Sequence, residues 1–251
     1  MTGVKGRIAL VTGAGRGIGR RAAEMLAERG ARVMCVARSE AQLTDVGLDY
    51  LVADLGTQDG CENTVAGTED RLGPIEIFVC NHGIGSAHER VIWEQDPELW
   101  AETMRVNLDG PFFLSRLIAG RMVEQQYGRC VFTSSTAGLI AEHAGSAYNA
   151  SKHGLLGLMR SVAVDGGPYG ITSNAVLPGW VRTEMAERSA EQEAKDRSMT
   201  IDQIWDERGA MYPPGRVVTV DEVAEAIAFL ASEESSGISG EAIKISLGAI
   251  E

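Results

Sequence analysis

Tyr148 and Lys152 stand four residues apart in the run Ala147-Tyr148-Asn149-Ala150-Ser151-Lys152, so on a helix they share one face. A phenol with an ordinary pKa near 10 is a poor acid-base catalyst at neutral pH, and bringing it to about 7 takes about 4 kcal/mol of preferential stabilisation of the phenolate. A lysine ammonium one turn away supplies part of that. The same pair occurs often by chance on amphipathic helices, so its meaning depends on the residues that accompany it.

A second candidate is the run Gly13-Ala14-Gly15-Arg16-Gly17-Ile18-Gly19, which follows the strand-like Ile8–Thr12 and precedes a helix-like stretch with Ala22, Met25, Leu26 and Ala27. A lone glycine triplet is weak evidence. Between a strand and a helix, Gly13, Gly17 and Gly19 permit a tight turn and let main-chain N–H groups approach a pyrophosphate, with Ile18 opening the helix. Roughly 20 residues after such a loop, a dinucleotide fold carries an acid for the ribose 2′-OH or an arginine for a 2′-phosphate. Here the second strand ends in Ala37-Arg38, with no acid. Arg38 beside Arg16 of the loop would grip a 2′-phosphate in charge-assisted hydrogen bonds, so NADP(H) is preferred over NAD(H). Asp54 closes the third strand, either as an acceptor for the adenine amino group with Leu55 near the ring, or as a cap for the next helix. Gly83, two residues after Asn81, closes the fourth strand and leaves room for an approaching cofactor.

These residues need a frame. Ile8–Thr12, Arg32–Ala37, Asp49–Ala53, Ile75–Cys80, Arg129–Thr133, Thr172–Leu177 and Ala242–Ile245 read as strands. Between them, Ile18–Arg29, Gly60–Leu72, Pro97–Asn107 continuing after Gly110 to Gln126, Ala147–Val164 and Val220–Ser232 have helical spacing. The alternation predicts an α/β, doubly wound Rossmann fold, a parallel sheet of about seven strands with helices on both faces. The 251 residues lack repeats and linkers and read as one domain, 1–251. The helix with Phe112, Phe113, Leu114, Leu117, Ile118, Met122 and Val123, and that with Leu155, Leu156, Leu158, Met159 and Val162, are apolar on several sides. A homo-oligomer, dimer or tetramer, is expected from them.

The balance of 35 acidic against 23 basic residues disfavours nucleic acid and anionic membranes as partners. No run approaches the length of a membrane span. Cys35, Cys61, Cys80 and Cys130 form no CxxC pair, and His82, His88, His143 and His153 lack ligand spacing, so neither disulfides nor a metal is expected. The segment before the first strand has no apolar leader, and a cytoplasmic location is expected.

Taken together, the motifs resemble the short-chain dehydrogenase/reductase family over essentially the whole chain. Thr12 to Gly19 matches its TGxxxGxG loop, Asn81-His82-Gly83 is a variant of its NAG segment, and Asn107 in Val106-Asn107-Leu108 matches its helix asparagine. Ser135 precedes Tyr148 by thirteen residues, Tyr148 and Lys152 fit YxxxK, and Pro178-Gly179 followed by Val181 and Thr183 looks like the loop that closes over nicotinamide. The resemblance implies an oxidoreductase interconverting a carbonyl, such as a ketone or 3-oxoacyl group, and a secondary alcohol. It makes Tyr148 the general acid/base and Ser135, rather than its neighbour Ser134, the group that polarises the substrate oxygen. Lys152 would bind the nicotinamide ribose and support the phenolate, and Asn107 would hold a relay water.

Three departures stand out: Cys80 and His82 around the fourth-strand asparagine, only about sixteen residues between Arg38 and Asp54, and an unusual ending, Ile245 to Glu251. The segment 184–214, with Met185, Met199, Ile204, Trp205, Met211 and Tyr212 among charges, reads equally as a mobile lid over the substrate or as helices with Met and Trp packed inward. Two other readings stay open: a non-catalytic dinucleotide-binding sensor or scaffold, and an NAD-dependent alcohol dehydrogenase of the same fold. Enoyl reduction is disfavoured, because the family's enoyl reductases space Tyr and Lys more widely.

Overall fold

The computed structural model describes residues 3–85 and 90–249; His88 and the final Ile250-Glu251 of the sequence reading lie outside the described residues. Seven strands form one sheet in the order β3-β2-β1-β4-β5-β6-β7. They are β1 (Ile8–Thr12), β2 (Arg32–Ala37), β3 (Asp49–Val52), β4 (Ile77–Cys80), β5 (Gly128–Thr133), β6 (Ile171–Pro178) and β7 (Ala242–Ile245). Every pairing is parallel, with Val11 opposite both Cys35 and Val79. A parallel sheet needs both faces covered, which is why the central strands are continuous apolar runs.

One face buries Val11, Val33, Cys35 and Val79 against α1 (Gly17–Glu28) and α9 (Val220–Leu230). The other buries Leu10, Met34, Phe78 and Phe132 against α3 (Gln58–Leu72), α5 (Gly110–Gln125) and α6 (Ser146–Gly166). All four cysteines are buried and unpaired. The short spacing after Arg38 is filled by a five-residue helix, α2 (Glu40–Thr44), which Ser39 caps through the Gln42 N–H.

The expected helix 97–126 is interrupted. α4 (Pro97–Met104) passes through a π-helical turn, Arg105–Asp109, before α5 begins. Pro111 explains the break, because it has no N–H to give to the carbonyl four residues earlier, that of Asn107. The segment 184–214 holds α7 (Glu184–Arg197) and α8 (Ile201–Ala210). Thr183 caps α7, and a reciprocal Thr200/Gln203 capping box starts α8. Trp205, Ile204, Ala190 and Ala194 are buried together with Met199 packed against them, whereas Met211 is exposed.

Strand order reverses between β1 and β4, on either side of which the crossovers run to opposite edges. In open α/β sheets the crevice beyond the carboxyl ends of the strands at that switch point is where ligands bind. Gly13, Arg38, Asp54, Asn81, Ser135 and Gly179 each follow the carboxyl end of a strand, so the topology brings the sequence-predicted residues to one edge.

Candidate active site

The glycine loop is shaped by close approach. Gly13 and Gly17 have φ of +64° and +55°, in the left-handed region that favours glycine. A Cβ on Gly13 would lie 2.9 Å from the His82 Cα, and one on Gly19 would collide with the Gly13 carbonyl. Arg16, the N-cap residue of α1, makes no side-chain cap, and the first turn holds no acid. The first N–H groups of α1 therefore point into the cleft without a side-chain acceptor, as an anion site requires. The loop fits a dinucleotide pyrophosphate.

Thr12 ties this loop to the end of β4. Its hydroxyl accepts from the Asn81 N–H (3.0 Å) and the His82 N–H (3.3 Å), and it lies 2.8 Å from His82 Nδ1 and 3.2 Å from the Val79 carbonyl. The buried Nε2 of His82 has no hydrogen-bond partner among the described residues. Burial pushes the imidazole down to a pKa of about 3. The Asn81 amide donates to the Thr12 and Gly13 carbonyls (3.3 and 3.4 Å), so it braces the loop with its side chain. Thr12 has a place in the motif but no task legible from it; its position where two strand ends meet supplies one.

At the adenosine end, Arg38 is exposed on leaving β2 and has no ion-pair partner among the described residues. Arg16 forms an ion pair with Glu184. Asp54 accepts from the Gly56 N–H (3.0 Å) and pairs with Arg105 (3.3 Å). The Gly56 N–H bond and Arg105 hold its carboxyl below the usual range despite partial burial. The Leu55 side chain is buried in the core and the whole residue is 4 % exposed. Ile18 likewise packs partly into the core.

The chemical end is built by three elements. Lys152 of α6 is buried, and its Nζ donates to the Thr133 carbonyl at the end of β5 (3.0 Å). Desolvation lowers its pKa to about 8. The Nζ lies 5.5 Å from the centroid of the Tyr148 ring, as the spacing on one helix face predicts. Asn107, in the π-helical turn, donates from Nδ2 to the Ile84 carbonyl (2.8 Å) and the Ser151 hydroxyl (3.1 Å), and its Oδ1 accepts from the Ile84 N–H (2.7 Å). Its two amide protons are thus committed to protein. Gly83 sits between these groups: a Cβ there would lie 3.2 Å from Asn107 Oδ1 and 3.5 Å from Lys152 Nζ. The missing side chain makes room for the protein's own machinery.

Ser134 and Ser135 part company. Ser134 is 3 % exposed and donates to the Lys152 carbonyl (3.1 Å). Ser135 is only partly buried and opens the short 3-10 turn 136–138, where its Oγ accepts from the Ala137 N–H (3.2 Å), leaving its proton for a ligand. On the opposite wall, a Cβ at Gly85 would be 3.8 Å from the Tyr148 ring and 3.5 Å from the Met185 sulfur. Pro178 ends β6, the Gly179 N–H donates to the Ile245 carbonyl (3.1 Å), and Val181 bridges to Val218. Tyr212 crowds this turn, accepting from the Trp180 N–H at 2.6 Å.

A short-chain dehydrogenase model described as enoyl-(acyl carrier protein) reductase matches residues 13–249. The chain is 32% identical over 252 residues to 3-oxoacyl-(acyl-carrier-protein) reductase FabG of Vibrio cholerae, covering 98% of both chains. It is 36% identical over 256 residues to the monensin polyketide synthase putative ketoacyl reductase of Streptomyces virginiae, covering 98% of this chain and 97% of that one. A solved variant of actinorhodin polyketide ketoreductase with NADPH superposes with a TM-score of 0.89 at 31% identity over 98% of each chain. The chain belongs to the short-chain dehydrogenase/reductase family. For a member of this family, the groups that motif reading leaves out are the ones that hold the motif residues in place: Thr133, Ser134, Ser151, Arg105 and Tyr212. Each acts on a partner distant in sequence, or through a main-chain atom, where spacing carries no signal. Among the described residues there is no group of three or more His, Cys, Asp or Glu that could hold a metal.

Proposed function

We propose that the protein is an NADP(H)-dependent oxidoreductase that interconverts a ketone or 3-oxoacyl carbonyl and a secondary alcohol. The observation that carries this reading is the buried Lys152 beneath the Tyr148 ring, next to a Ser135 whose hydroxyl proton is uncommitted. A bound nicotinamide supplies or accepts the hydride. Ser135 donates to the substrate oxygen and orients it. Tyr148 gives that oxygen its proton in reduction and takes it back in oxidation. The Lys152 ammonium favours the phenolate. Asn107, whose carbonyl is relieved of its usual helical donor by Pro111, offers that carbonyl to a water passing protons outward.

For the cofactor, the uncapped α1 and the cradle around Gly13 and Gly19 support a pyrophosphate, and the exposed Arg38 supports a 2′-phosphate. The α7–α8 segment, whose Met185 sulfur flanks Gly85 as the Tyr148 ring does, is read as the lobe that covers the substrate. Exposed apolar residues on α5 and α6 favour a homo-oligomer, and four buried unpaired thiols suit a reducing cytoplasm.

The test is NADPH and NADH oxidation across a panel of ketones, β-ketoacyl thioesters and sugar carbonyls. Turnover with NADPH is expected on at least one member. Tyr148→Phe should lower kcat by about 10²- to 10⁴-fold, the usual worth of a general acid, while dinucleotide affinity stays within about twofold. Undiminished turnover would remove Tyr148 from the mechanism, and NADPH binding without turnover on any substrate would favour the sensor reading.

A further inference from the structure

Arg16 is the cation of the glycine loop, and its guanidinium is engaged by Glu184, the first residue of α7. The contact is part of a larger docking. A Cβ on Gly17 would come within 3.4 Å of the Thr183 methyl, so the start of α7 rests on the loop that cradles phosphate. The ion pair therefore spans the mouth of the dinucleotide cleft.

We propose that Glu184 sets how strongly the protein prefers a phosphorylated over an unphosphorylated dinucleotide, by competing with the 2′-phosphate for Arg16. The proposal rests on the NADP(H) reading above. A phosphomonoester brings nearly two negative charges and three acceptor oxygens, against the single charge of a carboxylate. It displaces Glu184 from the guanidinium, at the cost of the pair that existed before. Glu184 is not stranded by the loss, because Arg188, one turn along α7, already lies 3.1 Å from the same carboxylate oxygen. An unphosphorylated dinucleotide makes no claim on Arg16 and leaves the pair intact. Glu184 thus penalises one cofactor and not the other. Both side chains are about half exposed (40% and 51%), so solvent screens the pair and the penalty is a modest one.

Titration of the purified enzyme with NADPH and with NADH, followed by nicotinamide fluorescence, reads the effect. Glu184→Gln is expected to tighten NADPH binding about two- to fivefold and to leave NADH unchanged. In an Arg16→Gln background the same substitution should change neither affinity. An equal shift for both cofactors would mean that Glu184 acts through the lobe, and an unchanged NADPH affinity would mean no competition; either overturns the proposal. So does a gain that persists without Arg16. Arg38→Asp separates the two levels: if it leaves the NADPH/NADH ratio unaltered, the 2′-phosphate reading itself falls. If it lowers the ratio while Glu184→Gln does nothing, only the competition falls.

Discussion

Lys152 illustrates why a buried cation is placed beside a phenol. Burial lowers its pKa to about 8, so at pH 7 it is still charged, but in a site where that charge is poorly screened. At 5.5 Å from the Tyr148 ring and an effective dielectric near 20, a unit charge is worth on the order of 3 kcal/mol to the phenolate, or about two pKa units. Removing the charge removes that preference, so the sign is fixed: Lys152→Met should raise the apparent basic pKa in the kcat/KM profile for alcohol oxidation by about one to two units. A pH series of that rate is the measurement. An unmoved pKa with weaker cofactor binding would confine Lys152 to holding the dinucleotide. The same low pKa bears on folding. Unfolded Lys has its ordinary pKa of 10.5, so between pH 8 and 10.5 the unfolded chain binds more protons than the folded one. This group's contribution to stability therefore rises with pH across that window and is unfavourable below it.

Elements were legible in the sequence to the degree that their signal was local. β1, β2 and β7 follow from β-branched runs with the same bounds, and the glycine loop follows from its own residues. The π-helical turn at Arg105–Asp109 was not legible, because 97–126 reads as one helix broken only by Gly110 and its cause, Pro111, acts on a carbonyl four residues back. Of the site, Tyr148, Lys152 and Ser135 were legible as a motif. The pairing of Arg16 with Glu184 and the burial of Leu55 were not, since each depends on a partner brought by the fold. The α7–α8 segment shows the same limit. Its charge-rich sequence left lid and packed helices equally open, and gave no sign of Arg208, which is 4 % exposed with its guanidinium 3.7 Å from the Trp180 ring. It donates to the Ala186 carbonyl and the Ser189 hydroxyl (3.2 Å each) and to Glu193 (2.8 Å), pinning α8 to α7. Arg208→Met keeps the bulk between the rings and deletes the bonds. Hydrogen exchange over 184–210 should then speed up by the equivalent of about 1–3 kcal/mol of local stability, with the sheet unchanged. Exchange that speeds up uniformly would show that the lobe and the sheet unfold as one unit.

At the scale of the molecule, the two helical layers do different work. α1 and α9 close one face of the sheet and carry the glycine loop at one end. α5 and α6 close the other face, carry Tyr148 and Lys152, and are covered on their inner sides by Leu114, Ile118, Leu155 and Met159. Their outer sides are not so covered: Phe112 is 48% and Val164 76% exposed, and Trp100 of α4 adds to the apolar surface. Single exposed hydrophobes are ordinary, but several on neighbouring helices that are already full on the sheet side form the surface that the proposed homo-oligomer would cover. A twofold axis would set this apolar patch against its own copy, so a charge introduced there is desolvated against the partner's apolar residues. For the proposed homo-oligomer, Phe112→Glu and Val164→Glu together are therefore expected to give a smaller species than the unsubstituted protein in sedimentation at micromolar concentration. Because Tyr148 and Lys152 project from the same α6 whose outer face would lose its cover, turnover should fall with dissociation. A wild-type oligomer whose mass the substitutions leave unchanged would assign the interface to another face, a monomeric wild type would end the oligomer reading, and a smaller species with full turnover would show that each subunit holds α6 in place by its own sheet.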